Sequence, residues 1–436
     1  MKISVIGTGY LGATHAAAMA EMGHDVVGID VVPEKIEALA AGRAPFYEPG
    51  LDELLARQIA TGRLRFTTEY AEAADADIHF ICVGTPQSPG SDAADTSFVF
   101  ESARALAKHL ERPALVVGKS TVPVGTASAL EPELQANAPA GSDVHLAWNP
   151  EFLREGFAVE DTLRPDRIVI GVQRPEDEAS LRELYAPQLE AETPIIVADY
   201  ATAELVKVAA NSFLALKISY INAMATVCEA TGADVTVLAE AIGHDDRIGK
   251  KFLRAGIGFG GGCLPKDIRA FMARAGELGL GGTLTFLRQI DEINMRRRKF
   301  TVDVAADMLG GELLGRKVAI LGVAFKPDSD DVRDSPALNI AAALHLRGAQ
   351  AVVYDPKAND NARAAFPTLS YVDSAEQALA DADLTLLLTE WDEFVTLDPV
   401  ATHDLVAEAR ILDGRNVLDP QLWRAAGWQY RGIGRQ

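Results

Sequence analysis

The sequence predicts an α/β protein with two Rossmann-like, doubly wound parallel-sheet domains, joined by a helical region that contains one long central helix. Three observations predict this class. Short apolar runs alternate with helical patterns through the first 200 residues, a long helical period follows, and a strand–loop–helix–strand pattern then returns near residue 317. We therefore expect three domains, at residues 1–200, 201–310 and 311–436.

The first region has the pattern of a mostly parallel sheet with helices on both faces. Helical patterns, for example at residues 14–23 and 97–110, separate its apolar runs. Continuous apolar runs are typical of parallel strands that are buried on both faces. We expect such strands at ISVIG, DVVGID, DIHFICVG, LVVGKS, HLAWNP and RIVIG.

The middle region changes to a helical period. Residues 203–229 contain no glycine or proline, and their apolar side chains recur at steps of three or four. This pattern predicts one long helix that ends at Gly232, because glycine is favoured just beyond a helix C-terminus. Further helical patterns cover residues 268–278 and 284–308.

The third region repeats the first in a weaker form. KISVIG…GHDVVGID at the start of the chain corresponds to KVAILG…GAQAVVYD, and ADLTLLLTEW and ARILDGRN add strands. The loop after Gly322 lacks a second glycine, so we expect no second dinucleotide there. Lys326 in this loop could hold a smaller phosphate ligand or be a solvated lysine, and the pattern leaves both interpretations open.

Composition and charge exclude several classes of protein. With 41 basic and 62 acidic residues the net charge is −21, which repels nucleic acid and anionic membranes. The 3 cysteines and 8 histidines show no metal-ligand spacing, so we expect neither a disulfide framework nor a metal site. The chain opens directly on a strand without a signal peptide or a long apolar run, and we expect a cytoplasmic protein.

A glycine-rich loop after the first strand predicts dinucleotide binding. GTGYLG places Gly7, Gly9 and Gly12 between a strand and a helix, where backbone can approach a pyrophosphate. Asp30 follows the second strand and is suited to bind the adenosine ribose. A carboxylate there disfavours a 2′-phosphate, so NAD is the predicted cofactor. Lys35 could touch the ribose or a phosphate, or be a solvated lysine.

Of the three cysteines, Cys263 has the surroundings of a nucleophile. It follows GFGGG, which has almost no side-chain bulk to obstruct a substrate, and Lys266 and Asp267 lie close by. Cys82 and Cys228 instead lie in apolar patterns and are expected to be buried. Two alternatives for Cys263 are a small hydrophobic residue buried in the core and a redox-regulated thiol, although no resolving cysteine is near it in sequence.

A hydride-accepting cofactor combined with a cysteine nucleophile narrows the predicted reaction. Oxidation of an alcohol needs no thiol, whereas an aldehyde held as a thiohemiacetal can be oxidised to a thioester and released by water as an acid. Lys207 and Asn211, four residues apart, share a face of the long helix. They could take part, but an ion pair between Lys207 and Glu204 explains the pattern equally well.

The motifs identify a family when they are taken together and in order. The chain resembles the nucleotide-sugar 6-dehydrogenases of the UDP-glucose/GDP-mannose dehydrogenase family over essentially its whole length. The resemblance rests on GTGYLG, VGTP, KSTVPVGT, NPEFLREG, ELVKVAANSFLALKISYIN, RIGKKFLRAGIGFGGGCLPKD, AFKPDSDDVRDSP, TEWDEF and DGRN. It implies that the substrate is a nucleotide sugar, with UDP-glucose as the best match. It also implies that this sugar is oxidised to the uronate with two NAD consumed.

The resemblance also implies roles for individual residues. Cys263 matches the thioester-forming cysteine, Lys207 and Asn211 match the pair that holds the oxyanion and water, and Asp267 matches an acid that assists this water. Thr121 matches a threonine beside the nicotinamide, and Glu151 matches the glutamate linked to thioester hydrolysis. The predicted catalytic residues are therefore Cys263, Lys207, Asn211, Asp267, Thr121 and Glu151.

Binding residues carry over in the same way. The cofactor positions are Gly7, Gly9, Gly12, Asp30, Lys35, Thr85, Thr121, Glu155, Lys266 and Arg333. The nucleotide-sugar positions are Glu151, Phe152, Leu153, Arg154, Glu155, Lys207, Asn211, Arg247, Phe252, Leu253, Arg254, Ala255, Gly256, Gly260, Lys326 and Arg415. Arg247 matches an arginine that reaches the substrate of a neighbouring subunit, which implies a homodimer or higher homo-oligomer with the long helix in the interface.

Three alternatives remain at this stage. Gly262 and Leu264 replace the Ser and Phe that flank the cysteine in close relatives, and Cys-Leu-Pro-Lys-Asp also occurs in the GDP-mannose branch. The alternative substrate is therefore GDP-mannose, or another nucleotide sugar that is oxidised by the same chemistry. A one-step dehydrogenase of the hydroxy-acid type would share the fold but release one NADH per substrate. A non-catalytic sensor of NAD or a nucleotide sugar would show no turnover.

Overall fold

The structure, a computed structural model, describes residues 1–435 and confirms the predicted fold class. The chain forms two compact units, one made of residues 1–210 and 269–279, the other of residues 211–268 and 280 onward. Each unit contains one sheet. The division into three domains at residues 200 and 310 stays a prediction. No helix among the described residues is long and apolar enough to span a bilayer.

The first unit is built on an eight-stranded sheet in the order β3-β2-β1-β4-β5-β6-β7-β8. Its strands β1–β8 are Lys2–Ile6, Asp25–Ile29, Leu64–Thr67, Ile78–Ile81, Ala114–Gly118, Val144–Trp148, Ile168–Gly171 and Ile195–Ala198. Helices α1–α8 are Tyr10–Glu21, Pro33–Ala40, Leu51–Ala60, Ser97–Ala107, Thr126–Asn137, Ala158–Leu163, Pro175–Leu184 and Ala186–Glu190, with short 3-10 turns at Tyr70–Ala73 and Gly141–Asp143.

All neighbouring strands of this sheet are parallel except the β6–β7 pair, which meets antiparallel at Trp148 and Gly171. Alternate side chains of a strand point to opposite faces. Accordingly, Ile3 and Val5 of β1 belong to one buried cluster, and Ile6 belongs to another. The sheet is therefore covered on both faces, and its strand ends carry the loops of the predicted nucleotide site.

The middle of the chain is helical, as predicted. It contains α9 (Tyr200–Thr231), α10 (Val235–Gly243), α11 (Leu264–Glu277) and α12 (Thr285–Met308). Helix α9 is continuous for 32 residues and is followed by Gly232 at a φ of 76°. A positive φ at this position suits glycine, which explains why the helix ends there.

The second sheet has the order β11-β10-β9-β12-β13-β14, and all its pairs are parallel. Its strands β9–β14 are Lys317–Leu321, Gln350–Tyr354, Ser370–Tyr371, Leu384–Leu387, Arg410–Asp413 and Gln429–Gly432. Helices α13–α18 are Pro336–Leu346, Asn359–Ala365, Ala375–Leu379, Asp392–Val395, Pro399–His403 and Pro420–Ala425. This order repeats that of the first six strands of the other sheet, so the sequence echo reflects a repeated architecture.

Candidate active site

The glycine-rich loop between β1 and α1 has the geometry of a phosphate cradle. Gly7 has a φ of 86°, and a Cβ on Gly12 would collide with the Gly7 carbonyl oxygen, so neither position accepts a side chain. A Cβ on Gly9 would meet nothing within 4 Å, and no side chain caps this end of α1. The open helix N-terminus therefore fits the pyrophosphate of a dinucleotide.

Asp30, just after β2, lies against this loop. Its carboxylate accepts hydrogen bonds from the Thr8 amide (2.8 Å), the Lys35 ammonium (2.9 Å) and the Val32 amide (3.2 Å). Burial alone would raise the pKa of Asp30, but the hydrogen bonds from Lys35 and Thr8 outweigh it and hold the pKa below its ordinary value. The structure thus brings together Asp30 and Lys35, two predicted cofactor residues, around an ionised carboxylate.

Two predicted threonines meet at neighbouring strand ends in the same unit. Thr85 lies after β4 and Thr121 after β5, and the Thr85 hydroxyl donates to the Thr121 carbonyl oxygen at 2.7 Å. Thr85 is buried and Thr121 is half-buried. This bond fixes the two loops relative to each other at the carboxyl edge of the sheet.

The loop after β6 places Glu151 beside Lys207 of α9. The Lys207 Nζ lies 2.8 Å from Glu151 Oε1, and both side chains are nearly buried. The other Glu151 oxygen accepts a hydrogen bond from the Leu153 amide at 2.7 Å. The ring of Phe152 lies 5.6 Å from the same ammonium. Four predicted site residues are therefore brought together, and the ion-pair partner of Lys207 is Glu151 and not Glu204, the alternative that the sequence had left open.

Glu204 instead caps helix α5. Its carboxylate accepts hydrogen bonds from the Gly125 and Ala127 amides, both at 2.7 Å. A carboxylate at a helix N-terminus satisfies free amides and the helix dipole. The interpretation of Lys207 as part of an ordinary pair with Glu204 is thus wrong.

Two other residues of the 149–158 loop have different surroundings. Arg154, predicted to contact substrate, is exposed and pairs with Asp161 through two guanidinium nitrogens at 2.8 and 2.6 Å. Hydrogen bonding to Asp161 raises the pKa of Arg154. Glu155 is buried. Both remain predicted binding residues.

Glu48 is a residue of this region that sequence reasoning missed. It is buried, and its carboxylate accepts hydrogen bonds from the Gly156 amide (2.6 Å), the Ala158 amide (2.7 Å) and the Tyr10 hydroxyl. Glu48 thereby ties the NPEFLREG loop to the glycine-rich loop. The only sequence signal was its place in the turn YEPG, which by itself predicts no long-range contact.

In the second unit, Cys263 is the exposed member of the three cysteines. Cys82 and Cys228 are buried, as predicted, and burial raises the pKa of both thiols, that of Cys82 to about 12. Cys263 lies immediately before α11, and its carbonyl oxygen accepts a hydrogen bond from the Asp267 amide at 2.9 Å. An accessible thiol at a helix N-terminus is suited to act as a nucleophile.

The glycines before Cys263 pack against the protein itself. Added Cβ atoms would collide with Asn294 at Gly258, with the Asp334 backbone at Gly260, with the Phe325 ring at Gly261 and with the Arg333 guanidinium at Gly262. The expectation that this run leaves open backbone beside the thiol is therefore wrong. Its glycines instead allow neighbouring segments to approach the loop closely, and Arg333 lies against the residue before Cys263.

Asn211 and Asp267 form a buried pair in the same unit. The Asn211 amide donates to one Asp267 oxygen at 2.7 Å, and Lys266 Nζ lies 2.7 Å from the other oxygen. Asp267 is 2% exposed and Asn211 is 7% exposed. Three predicted residues are thus joined one helical turn after Cys263, with both oxygens of the carboxylate engaged.

The predicted nucleotide-sugar loop at residues 252–256 has a mixed environment. Phe252 is exposed at a φ of 64°, whereas Leu253 and Ala255 are buried. The Gly256 amide donates to Asn222 Oδ1 at 2.9 Å, and a Cβ on Gly256 would lie 2.7 Å from the Gly414 carbonyl oxygen. Asn222 was not predicted, and it holds this loop on helix α9.

Arg415 has a side chain that is 12% exposed, and it fixes three backbone segments. Its guanidinium donates to the carbonyl oxygens of Leu388 (2.7 Å), Gly258 (3.2 Å) and Phe325 (3.2 Å). Glu390 lies 3.3 Å from Arg415 and 3.7 Å from Arg254. The structure thus brings Arg254, Arg415 and the loop of Lys326, which follows Phe325, into one region of the second unit.

Arg247 stands apart from these residues. Its side chain is 88% exposed and pairs with Asp245, with nitrogen–oxygen distances of 2.9 and 2.6 Å. Among the described residues, no other predicted site residue forms a hydrogen bond or ion pair with Arg247. This exposure is compatible with the predicted reach toward another subunit.

Comparison with known proteins identifies three consecutive matches to one family. Three domain models of the UDP-glucose/GDP-mannose dehydrogenase family match this chain. The NAD binding domain matches residues 1–189, the central domain matches residues 201–296, and the UDP binding domain matches residues 319–420. The glycine-rich loop and Asp30 lie in the first match, and Cys263 lies in the second.

Full-length relatives agree with these matches. The chain is 42% identical to the UDP-glucose 6-dehydrogenase of Rhizobium meliloti over 438 residues, covering 100% of both chains. It is 40% identical to the UDP-glucose 6-dehydrogenase YwqF of Bacillus subtilis, covering 100% of this chain and 98% of that one. The structure of a UDP-glucose dehydrogenase from Pyrobaculum islandicum superposes with a TM-score of 0.91 at 39% identity, covering 100% and 98% of the two chains.

Proposed function

Because the chain belongs to the UDP-glucose/GDP-mannose dehydrogenase family, whose first domain binds NAD, we propose that it oxidises UDP-glucose to UDP-glucuronate through a thioester on Cys263. The observation that carries the proposal is the exposed Cys263 thiol one turn before the buried Asn211–Asp267 pair. The substrate is supported by the names of full-length relatives at 40% and 42% identity.

The proposed reaction has two oxidations and one hydrolysis. NAD, when bound, accepts one hydride in each oxidation. The C6 alcohol is first oxidised to the aldehyde. The Cys263 thiolate then adds to the carbonyl carbon to form a thiohemiacetal, whose oxidation gives the thioester. Water finally breaks the C–S bond, so that the carboxylate leaves and the thiol is restored.

We assign the remaining roles from the chemistry that each group can supply. Lys207 is a cation whose charge can stabilise an oxyanion on the sugar, and Glu151, its ion-pair partner, can accept a proton from water. Asn211 holds Asp267 by a hydrogen bond, and Asp267 in turn assists hydrolysis. Gly7, Gly9, Gly12, Asp30 and Lys35 hold the cofactor, and Arg254, Lys326 and Arg415 hold the nucleotide sugar.

We also propose that the protein is a homodimer or higher homo-oligomer joined along α9. Phe213, Tyr220 and Val227 are 61%, 48% and 52% exposed and are spaced seven residues apart on this helix. An apolar stripe with this spacing is suited to pack against a second copy of the same helix. The cytoplasm is the proposed location, because a catalytic thiol stays reduced there.

Counting NADH tests the reaction. Purified protein is given excess NAD and limiting UDP-glucose, beside Cys263→Ser and a control, Cys228→Ala, which removes a buried thiol. We expect two NADH per sugar from the wild type and the control, and loss of the second oxidation in Cys263→Ser.

Other outcomes would contradict parts of the proposal. Two NADH from GDP-mannose and none from UDP-glucose would overturn the substrate and keep the chemistry. One NADH per sugar with Cys263→Ser unimpaired would overturn the thioester route. No turnover with either sugar would overturn the enzymatic proposal as a whole.

A further inference from the structure

A buried lysine with no role in the reaction described above lies at the end of β5. Lys119 is 8% exposed, and its ammonium donates to Asn149 Oδ1 at 2.8 Å. The Phe80 ring lies 5.7 Å away. Within residues 1–435, no carboxylate lies within ion-pair distance of Lys119. A buried ammonium with only a neutral amide as partner destabilises a fold, so packing alone does not account for it.

Lys119 is connected to the predicted catalytic residues through Asn149. Asn149 lies two residues before Glu151 in the chain, and Glu151 pairs with Lys207 at 2.8 Å. Asn149 Oδ1 also accepts a hydrogen bond from the Tyr185 hydroxyl at 2.6 Å, and the Asn149 amide nitrogen donates to the Val169 carbonyl oxygen at 2.7 Å. The amide is thus held even without Lys119, so the hydrogen bond alone does not require a lysine.

Lys119 and Tyr185 both donate a hydrogen bond to the Asn149 side-chain oxygen, but only Lys119 can carry a positive charge. Four titratable groups lie within its electrostatic reach: Cys82, His15, Glu151 and Lys207. Burial raises the pKa of Cys82 to about 12 and lowers that of His15 far below its usual range, so both are neutral near pH 7. The groups that carry charge are therefore Lys119 and the Glu151–Lys207 pair.

We propose that Lys119 is a positioning residue of the oxidation, which acts on the Glu151–Lys207 ion pair through its buried positive charge and through Asn149. The inference rests on the proposed function, because it assigns the ion pair to the reaction. The positive charge of Lys119 attracts the carboxyl group of Glu151 and repels the like-charged ammonium of Lys207. It therefore keeps the pair in the arrangement seen here.

Three variants separate the charge from the hydrogen bond. Lys119→Met removes both, Lys119→Arg keeps a charge, and Tyr185→Phe removes only the second hydrogen bond to the same Asn149 oxygen. We expect Lys119→Met to lower kcat about tenfold or more with KM values changed less than about threefold. Tyr185→Phe should stay within about threefold of the wild type, and Lys119→Arg should recover part of the loss.

The pH profile of kcat supplies a readout that a purely structural role would not change. Burial lowers the pKa of Lys119 to about 8, with Lys207 adding to the effect and Cys82 and Glu151 opposing it. The wild type should therefore lose activity as pH rises through about 8, and Lys119→Met should lack this step. Urea unfolding of Lys119→Met at pH 7 should show a folded protein at least as stable as the wild type.

Each remaining outcome overturns the inference. Equal kcat and an equal pH profile in the wild type and Lys119→Met would show that the charge has no role. Equal losses in Lys119→Met and Tyr185→Phe, without a change in pH profile, would reduce Lys119 to a structural hydrogen bond. In both cases an active wild type would leave the proposed function intact, whereas an inactive wild type would overturn both.

Discussion

At the scale of single residues, the glycines of the nucleotide loop have separable roles. Gly9 has ordinary dihedral angles and open space where a Cβ would lie, so Gly9→Ala should fold normally. The added methyl would occupy the approach to the helix N-terminus, and we expect NAD affinity to fall about tenfold or more. NADH fluorescence titration measures this loss, and the thermal midpoint should move by only a few degrees.

Gly12→Ala is the matched comparison for that experiment. Its Cβ would collide with the Gly7 carbonyl oxygen, which is backbone and cannot rotate away. We expect a loss of stability of roughly 3 kcal/mol or more, because overpacking against backbone has no inexpensive relaxation. Weak NAD binding in Gly12→Ala but normal binding in Gly9→Ala would contradict the placement of the pyrophosphate at this helix end.

Residues whose role depends on sequence spacing could be predicted, and those that depend on burial could not. Gly7, Gly9 and Asp30 belong to a local pattern with a known physical meaning, and they lie together as expected. Glu48 and Lys119 act through partners 108 and 30 residues away. Neither partner can be read from the sequence, because these contacts form only when folding brings distant segments of the chain together.

At the scale of elements, long periodic segments were predicted well and short ones were missed. The helix expected over residues 203–229 spans Tyr200–Thr231, and the pattern over 284–308 corresponds to Thr285–Met308. Strands β3, β8, β11 and β14 were not predicted. All four lie at sheet edges. Strand β8 has two exposed residues among its four, so it lacks the apolar run that identifies a buried strand.

The stripe on α9 gives a prediction at this scale. Phe213→Glu combined with Tyr220→Glu places two like charges on the proposed interface, and we expect the assembly to dissociate to the mass of one chain. Phe98→Glu is the control, because Phe98 is 49% exposed on α4, outside the stripe. Light scattering after size exclusion measures the mass. A wild-type monomer, or an assembly that survives the double substitution, would contradict an interface along α9.

At the scale of the whole molecule, the net charge of −21 means that the overall electrostatic field does not attract an anionic ligand. Such a field repels a dinucleotide and a nucleotide sugar at a distance. The structure has local groups suited to an anion, namely an open helix N-terminus at Gly9 and arginines at 254 and 415 in the second unit. The composition predicts that local groups would have to hold an anionic ligand, but not that the Arg415 guanidinium donates to three backbone carbonyls.

The buried charge of Lys119 should make the free energy of unfolding depend on pH. Burial lowers the pKa of this lysine from 10.5 to about 8, so the folded protein releases the proton before the unfolded chain does. Below pH 8 the buried charge destabilises the fold. Between about pH 8 and 10.5 this penalty disappears, so wild-type stability should rise by about 3 kcal/mol relative to Lys119→Met, of which about 2 kcal/mol is reached by pH 9.5.

Urea unfolding at pH 7.0 and 9.5, followed by circular dichroism, measures this difference between the two proteins. Comparison with Lys119→Met cancels the titration of all other groups, and Lys108→Met, at an exposed lysine of the same unit, is the matched control. A constant difference between wild type and Lys119→Met across this pH range would mean that Lys119 is not a buried charge. A difference in unfolding free energy that rises with pH, and is absent in the Lys108 control, would mean that the folded protein retains a destabilising buried ammonium at Lys119. The proposed positioning role requires this buried charge.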